Sequence, residues 1–140
     1  MKKLVLVIFG ILVFAGYSGA EDAELLVVTA KTPGEEITGK TVERIFLRKK
    51  VLWKDSVKIV PVNLPSEHPL RNIFNGKVLK RSVPELVEFW NAEHFKGNDP
   101  PDVLESEEAV KKFIKEVPGS IGYISPGNLD GGLVVIYKVR

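Results

Sequence analysis

The alternation of short apolar runs with helix-patterned segments constrains the fold of this chain most. Leu25–Ala30 is rich in aliphatic and β-branched residues and is followed by Pro33-Gly34, which predicts a buried strand. Further strands are predicted at Val57–Asn63, Ile121–Ile124 and Leu133–Val139. Helix-patterned segments separate these strands, so we expect an α/β domain in which helices flank a mixed sheet. Pro61 predicts that its strand lies at the sheet edge or ends there, because proline lacks an N–H group.

Each predicted helix begins at a residue that can cap it. Thr38 and Ser106 precede two amphipathic segments, and Ser82 begins the capping-box sequence Ser-Val-Pro-Glu. The remaining helix begins near Pro69. The apolar spacing along these helices and strands predicts a core that includes Ile45, Phe46, Phe74, Phe89, Trp90, Phe113, Ile121 and Tyr123.

The first twenty residues have the three-part pattern of a secretory signal peptide. Lys2 and Lys3 are followed by the apolar run Leu4–Phe14, and Ser18 and Ala20 are small residues suited to a signal peptidase. The apolar run is too short to cross a bilayer core of about 30 Å. We therefore expect a signal peptide at 1–20 and a domain at 21–140, exported to the periplasm or secreted, with no stable membrane insertion.

Composition excludes several classes of function. The chain has no cysteine, which rules out disulfides, thiol catalysis, cysteine metal sites and a lipid-anchored N-terminus. The formal net charge is +2, and it falls to zero once Lys2 and Lys3 are removed, so the charge does not favour nucleic acid as a partner. Positive charge is nevertheless concentrated in residues 40–81, which contain eleven basic and three acidic residues. This segment either forms a locally positive surface that attracts an anion or consists of ordinary charged helix faces exposed to solvent.

The sequence carries little that suggests catalysis. His68 and His94 are the only histidines, and neither has a second histidine at metal-ligand spacing. A nucleophile-elbow sequence and a phosphate loop are both missing. The acidic pair Glu107-Glu108 is typical of a helix start, where the helix dipole favours acids. We expect a protein that is not an enzyme and that needs no cofactor or metal.

One loop has the composition of an anion site. A predicted strand ends at Asn63, and a helix begins a few residues later. Such a loop exposes backbone N–H groups at the positive end of the helix dipole. Asn63, Ser66, His68 and Arg71 are the candidate ligand-binding residues for a small oxyanion. The alternative is ordinary capping, with Ser66 or His68 as the cap and Pro69 in the first turn.

Three sequence blocks together resemble a known family. They are Ile37-Thr-Gly-Lys-Thr-Val-Glu-Arg-Ile-Phe-Leu47 followed by Trp53, then Ile59-Val-Pro-Val62, then Pro118-Gly-Ser-Ile-Gly-Tyr123. They resemble the phosphate-type periplasmic solute-binding proteins of phosphate ABC importers. The resemblance implies a type II periplasmic-binding-protein fold with two α/β lobes, a ligand held between the lobes and no catalysis. This chain matches mostly one lobe.

The resemblance is weakest at the candidate loop. Where phosphate binders have an Arg and an Asp-Gly-Ser-Gly-Thr run, this chain has Asn63 and Pro65-Ser-Glu-His-Pro69, and only Ser66 offers a comparable donor. Two hypotheses therefore remain. One is a binding protein for phosphate or a similar oxyanion that acts in uptake or sensing, with an ABC importer as a possible protein partner. The other is a non-catalytic interaction module of the cell envelope that has lost its ligand.

Overall fold

The computed structural model describes residues 23–140, and it contains one five-stranded mixed sheet. The strands are β1 (Leu25–Thr29), β2 (Val60–Asn63), β3 (Asp102–Val103), β4 (Ser120–Ile124) and β5 (Val134–Val139), in the spatial order β3-β2-β4-β1-β5. Strand β1 pairs antiparallel with both β4 and β5, whereas β2 runs parallel to β3 and β4. All five residues of β1 are buried, as expected for an inner strand covered on both faces. The expected mixed α/β sheet is confirmed.

In the described part of the chain, four α-helices accompany the sheet, and each follows a capping residue. They are α1 (Gly39–Phe46), α2 (Pro69–Phe74), α3 (Val83–His94) and α4 (Glu107–Glu116). Thr38, Ser82 and Ser106 accept hydrogen bonds from the first turns of α1, α3 and α4, as predicted. His68, not Ser66, caps α2. A π-helical turn, Asn75–Leu79, extends α2.

The core lies between the sheet and the helices, and α4 packs closely on β4 because of a glycine. A Cβ atom on Gly122 would lie 2.8 Å from the side chain of Val110 and 3.2 Å from that of Ile114, both on α4. Among the residues predicted to be buried, Ile45, Phe46, Phe74, Ile121 and Tyr123 are buried. Phe89, Trp90 and Phe113 are partly buried and pack against this core.

Pro61 lies in an inner strand, so the edge placement is wrong, but it is only one residue from the start of that strand. Strand β2 lies between β3 and β4. However, β3 pairs only with Val62 and Asn63, and Pro61 pairs with Ile121 on the other side. Among residues 23–140, no strand therefore pairs at Pro61 with the side of β2 on which its N–H group is missing. Strand β3 itself was not predicted, because it has two residues and both are exposed.

The topology places several loops at one edge of the sheet. Because β2, β3 and β4 are parallel, their carboxyl ends at Asn63, Val103 and Ile124 share that edge. Ligands of open α/β sheets usually bind outside the carboxyl ends of strands.

Within residues 23–140, no helix is long and apolar enough to cross a membrane. The predicted signal peptide lies outside the described residues.

Candidate functional site

The candidate site is the loop Leu64–His68, which connects β2 to α2 at the carboxyl edge of the sheet. Its two ends are buried or half-buried, whereas Ser66 and Glu67 at its tip are exposed. The backbone N–H of His68 donates to the carbonyl of Pro65 over 3.0 Å, which closes the loop into a turn. The turn therefore exposes Ser66 and Glu67 to solvent.

Asn63 and Tyr123 together form the base of the loop. The sequence predicted Tyr123 only as a core residue. Asn63 is 5% exposed, and its side-chain oxygen accepts a hydrogen bond from the hydroxyl of Tyr123 on β4. The same hydroxyl accepts from the backbone N–H of Leu64 over 3.3 Å. Burial raises the pKa of Tyr123, against the opposing effects of the Leu64 hydrogen bond and the Arg71 charge, so the hydroxyl keeps its proton. Asn63 therefore positions the loop from below.

Arg71 lies one turn inside α2 and reaches back under the loop. Its Nη1 donates to the carbonyl of Leu64 over 2.6 Å, and its Nε donates to the side-chain oxygen of Asn75 over 3.3 Å. A guanidinium has five N–H groups. The remaining three make no hydrogen bond to residues 23–140. Arg71 thus fixes the loop and keeps donors for another partner.

His68 and Ser66 both make local hydrogen bonds. The Nδ1 of His68 accepts from the backbone N–H of Leu70 over 3.1 Å, and the backbone N–H of Arg71 donates to the carbonyl of His68. The hydroxyl of Ser66 donates to the carboxylate of Glu67 over 3.0 Å. The sequence predicted several unpaired backbone N–H groups at this helix start. Only those of Ser66 and Glu67 lack a partner among the described residues of the loop.

A carboxylate from a distant part of the chain completes the surroundings of the loop. Glu107, the first residue of α4, has its Oε2 3.8 Å from the Nε2 of His68. Its Oε1 accepts from both the backbone N–H and the hydroxyl of Ser125, the latter over 2.7 Å. Burial alone would raise the pKa of Glu107, but the hydrogen bonds from Ser125 and Asn128 outweigh it and lower the pKa. Glu107 is therefore a carboxylate at neutral pH. Together with Glu67 it places negative charge at the loop, which offsets the positive charge that Arg71 contributes there.

The structure therefore brings Asn63 and Arg71 together around Leu64, while Ser66 and His68 lie at the tip and the helix start. No pattern in the sequence indicated that Tyr123, Asn75, Glu107 or Ser125 belongs to the site. Glu107 had been placed correctly at a helix start, but no sequence signal links it to Ser125 or His68. Residues 23–140 contain no group of three or more His, Cys, Asp or Glu residues arranged to hold a metal ion.

Solved structures share this fold over most of the chain. A phosphate ABC transporter substrate-binding protein from Clostridium perfringens, solved with bound phosphate, matches 81% of this chain with a TM-score of 0.66 at 18% identity. An ABC-type phosphate transport receptor from Vibrio cholerae matches 81% with a TM-score of 0.65 at 19% identity. PstS from Borrelia burgdorferi matches 73% with a TM-score of 0.55 at 18% identity.

This chain has their fold. It spans less than half the length of each of the three, covering 44%, 45% and 40% of those chains. No protein-family model matches the sequence, and no curated protein matches it significantly. The resemblance drawn from the sequence blocks is thus confirmed at the level of the fold, and only part of those larger proteins is represented.

Proposed function

We propose that this protein is an exported, non-catalytic binding module for a small oxyanion of the phosphate type. The observation that carries the proposal is the fold that this chain shares with substrate-binding proteins of phosphate ABC transporters, one of which was solved with bound phosphate. These neighbours also suggest the kind of protein partner, an ABC importer of the cell envelope. Substrate-binding proteins carry out no chemistry, which supports a non-enzymatic role.

The loop Leu64–His68 is the part of the chain best placed to bind the anion. It lies at the carboxyl edge of the sheet, and the N–H groups of Ser66 and Glu67 remain without a partner among residues 23–140. The positively charged guanidinium of Arg71 contacts the same loop at the carbonyl of Leu64, and a guanidinium suits the paired oxygens of an oxyanion. Ser66 and His68 belong to the same loop.

We expect this binding to be weak. Glu67 and Glu107 place two carboxylates near the loop, and the tip is exposed to solvent. An open site with opposing charge gives an expected dissociation constant of about tens of micromolar to millimolar. Salt should weaken the binding further, because charges exposed to solvent are screened.

Calorimetric titration with phosphate and with sulfate tests the proposal. Arg71→Ala should weaken phosphate binding by roughly tenfold to a hundredfold, the loss of one charged hydrogen bond of about 1.5–3 kcal/mol. Lys112→Ala is the matched control, because Lys112 is an exposed cation on α4 with no ion pair among the described residues. Equal weakening in both variants would attribute binding to overall charge and would contradict the proposed site.

Export is a second part of the proposal, and it rests on the signal-peptide pattern of residues 1–20. Protein isolated from the periplasmic fraction of an expressing cell should begin at Glu21. N-terminal sequencing measures this directly. A chain that begins at Met1, or that is recovered with the membranes, would contradict export by cleavage after Ala20.

A second candidate function is an interaction module of the envelope that does not bind a solute. It is favoured by the hydrogen bonds that already occupy the loop, namely those of Leu70 N–H, the hydroxyl of Ser66 and Nη1 of Arg71. A folded sample that releases no heat with any oxyanion at millimolar concentration would favour this candidate over the first.

A further inference from the structure

A cavity of about 370 Å³ lies at the edge of the sheet opposite the candidate loop. Thr29, at the end of β1, and Ser120, at the start of β4, both line it. Asn63 lies beside Tyr123, near the other end of β4. The cavity is therefore separate from the proposed oxyanion loop, and its volume lies within the range of about 300–1,000 Å³ that is typical of small-molecule sites.

The walls of the cavity are mainly apolar. Trp53 is 7% exposed and Ile114 is fully buried, and the half-buried Val57 lies beside them. The indole N–H of Trp53 donates to the carbonyl of Gly119 over 3.0 Å. Because its polar group already has a partner, the Trp53 ring contributes an apolar surface to the cavity.

Two hydroxyl groups in the lining of the cavity, those of Thr29 and Ser120, already donate hydrogen bonds. The hydroxyl of Thr29 donates to the carbonyl of Lys31 over 2.8 Å, and that of Ser120 donates to the carbonyl of Val117 over 2.6 Å. Neither hydroxyl proton is available to a ligand without breaking an existing hydrogen bond. Breaking such a bond would cost about as much as the new bond returns.

The charges around the cavity cancel. Lys31 and Lys115 contribute two ammonium groups, and Asp55 and Glu116 contribute two carboxylates. Lys115 is paired with Asp130 over 2.8 Å, and Asp55 accepts from the backbone N–H of Val57 over 3.1 Å. The lining residues therefore carry no net charge that would favour a charged ligand.

We propose that this cavity binds a small apolar molecule without net charge, held against the Trp53 ring. The site and the ligand class both differ from the oxyanion of the proposed function, so either proposal can fail without the other. The burial of apolar ligand surface, which removes it from water, supplies the binding free energy.

Fluorescence titration with N-phenyl-1-naphthylamine, a neutral apolar dye, tests this proposal on the purified protein. We expect a saturable rise in dye fluorescence with one dye bound per chain, unchanged by millimolar phosphate. The anionic sulfonate analogue, anilinonaphthalene sulfonate, should bind no more tightly than the neutral dye. In a Trp90→Phe background Trp53 is the only tryptophan, and its emission should change along the same titration curve.

Variants that fill the cavity give the decisive comparison. Ala30→Trp places a large ring at an exposed position in the lining and should weaken dye binding by about tenfold or more, which corresponds to about 1.4 kcal/mol. Ala92→Trp adds the same ring at an exposed position of α3 and should have no effect. Thr32→Trp, also in the lining, replaces Ala30→Trp if the latter fails to fold. Unsaturable binding, displacement by phosphate, or equal dye affinity in the lining variants and the control would overturn the proposal.

Discussion

The guanidinium of Arg71 donates a hydrogen bond to the backbone carbonyl of Leu64 over 2.6 Å. Arg71 is on α2 and Leu64 directly follows β2, so this contact ties the helix to the strand across the candidate loop. The same side chain keeps three N–H groups that make no hydrogen bond to residues 23–140. Arg71 therefore positions the loop and, in our proposal, also contacts the bound anion.

The hydroxyl of Tyr123 is expected to stabilise the base of this loop. Tyr123→Phe leaves the side-chain oxygen of Asn63 without its donor and the N–H of Leu64 without its acceptor. Leaving buried polar groups unpaired should lower the free energy of unfolding by about 1–3 kcal/mol. Urea unfolding measures this. Tyr137→Phe is the control, because the Tyr137 hydroxyl makes no hydrogen bond to residues 23–140, and an equal loss in both variants would contradict the assigned role.

Two phenylalanines that the sequence places on apolar faces should differ in their contribution to stability. Phe74 is fully buried and stacks on Tyr123, with the ring centroids 4.2 Å apart, whereas Phe113 is only partly buried. Phe74→Ala should cost about 3–5 kcal/mol, and Phe113→Ala should cost clearly less. Thermal or urea unfolding of both variants decides this. A larger loss for Phe113→Ala would mean that the core is placed wrongly.

Gly119, in the sequence Pro-Gly-Ser-Ile-Gly-Tyr, has a backbone conformation that no other residue type tolerates well there. Its φ is +79°, and a Cβ atom would lie 2.2 Å from the carbonyl oxygen of Lys58. The left-handed conformation alone costs about 1–3 kcal/mol for other residues, and the backbone clash adds to it. Gly119→Ala should therefore be strongly destabilised or fail to fold. Gly127→Ala meets no atom within 4 Å and should melt like the wild type.

Acid should remove the stabilisation that Glu107 provides. Its pKa in the folded protein is lowered, with the hydrogen bonds from Ser125 prevailing over the opposing effect of burial. A lowered folded-state pKa contributes stability above the unfolded-state pKa, and that contribution is lost as the pH falls through the folded-state value. Glu107→Gln should flatten this acid part of the stability profile, whereas Glu108→Gln, at an exposed neighbouring position, should leave it unchanged. Identical acid profiles for the wild type and Glu107→Gln would contradict this.

Local patterns were enough to predict most of the fold. Thr38, Ser82 and Ser106 cap their helices through hydrogen bonds to residues three positions later in the chain. Because these partners are close in sequence, the capping residues can be recognised from the sequence alone. Strand β3 has too few residues to form a pattern. The partial exposure of Phe89 and Phe113 depends on what packs over the helices, which the spacing of apolar residues does not determine.

The candidate site was only partly predictable for the same reason. Asn63 and Arg71 flank a local strand-to-helix loop, so their positions could be predicted from the sequence. Tyr123 is 60 residues from Asn63, and Ser125 is 18 residues from Glu107. No local pattern links these partners. The hydrogen bonds of His68 and Ser66 depend on side-chain orientation, which the sequence did not resolve.

Backbone amide signals of isotope-labelled protein, followed during a phosphate titration, test the oxyanion proposal most directly. We expect saturable shifts of the Ser66 and Glu67 amides and of the Arg71 side-chain N–H signal, while Thr32 and Asp55 in the distant cavity stay unchanged. Arg71→Ala should reduce the affinity of these shifts, and Lys112→Ala should not. Unchanged loop signals at millimolar phosphate, or saturable shifts centred elsewhere in the chain, would contradict the proposed site.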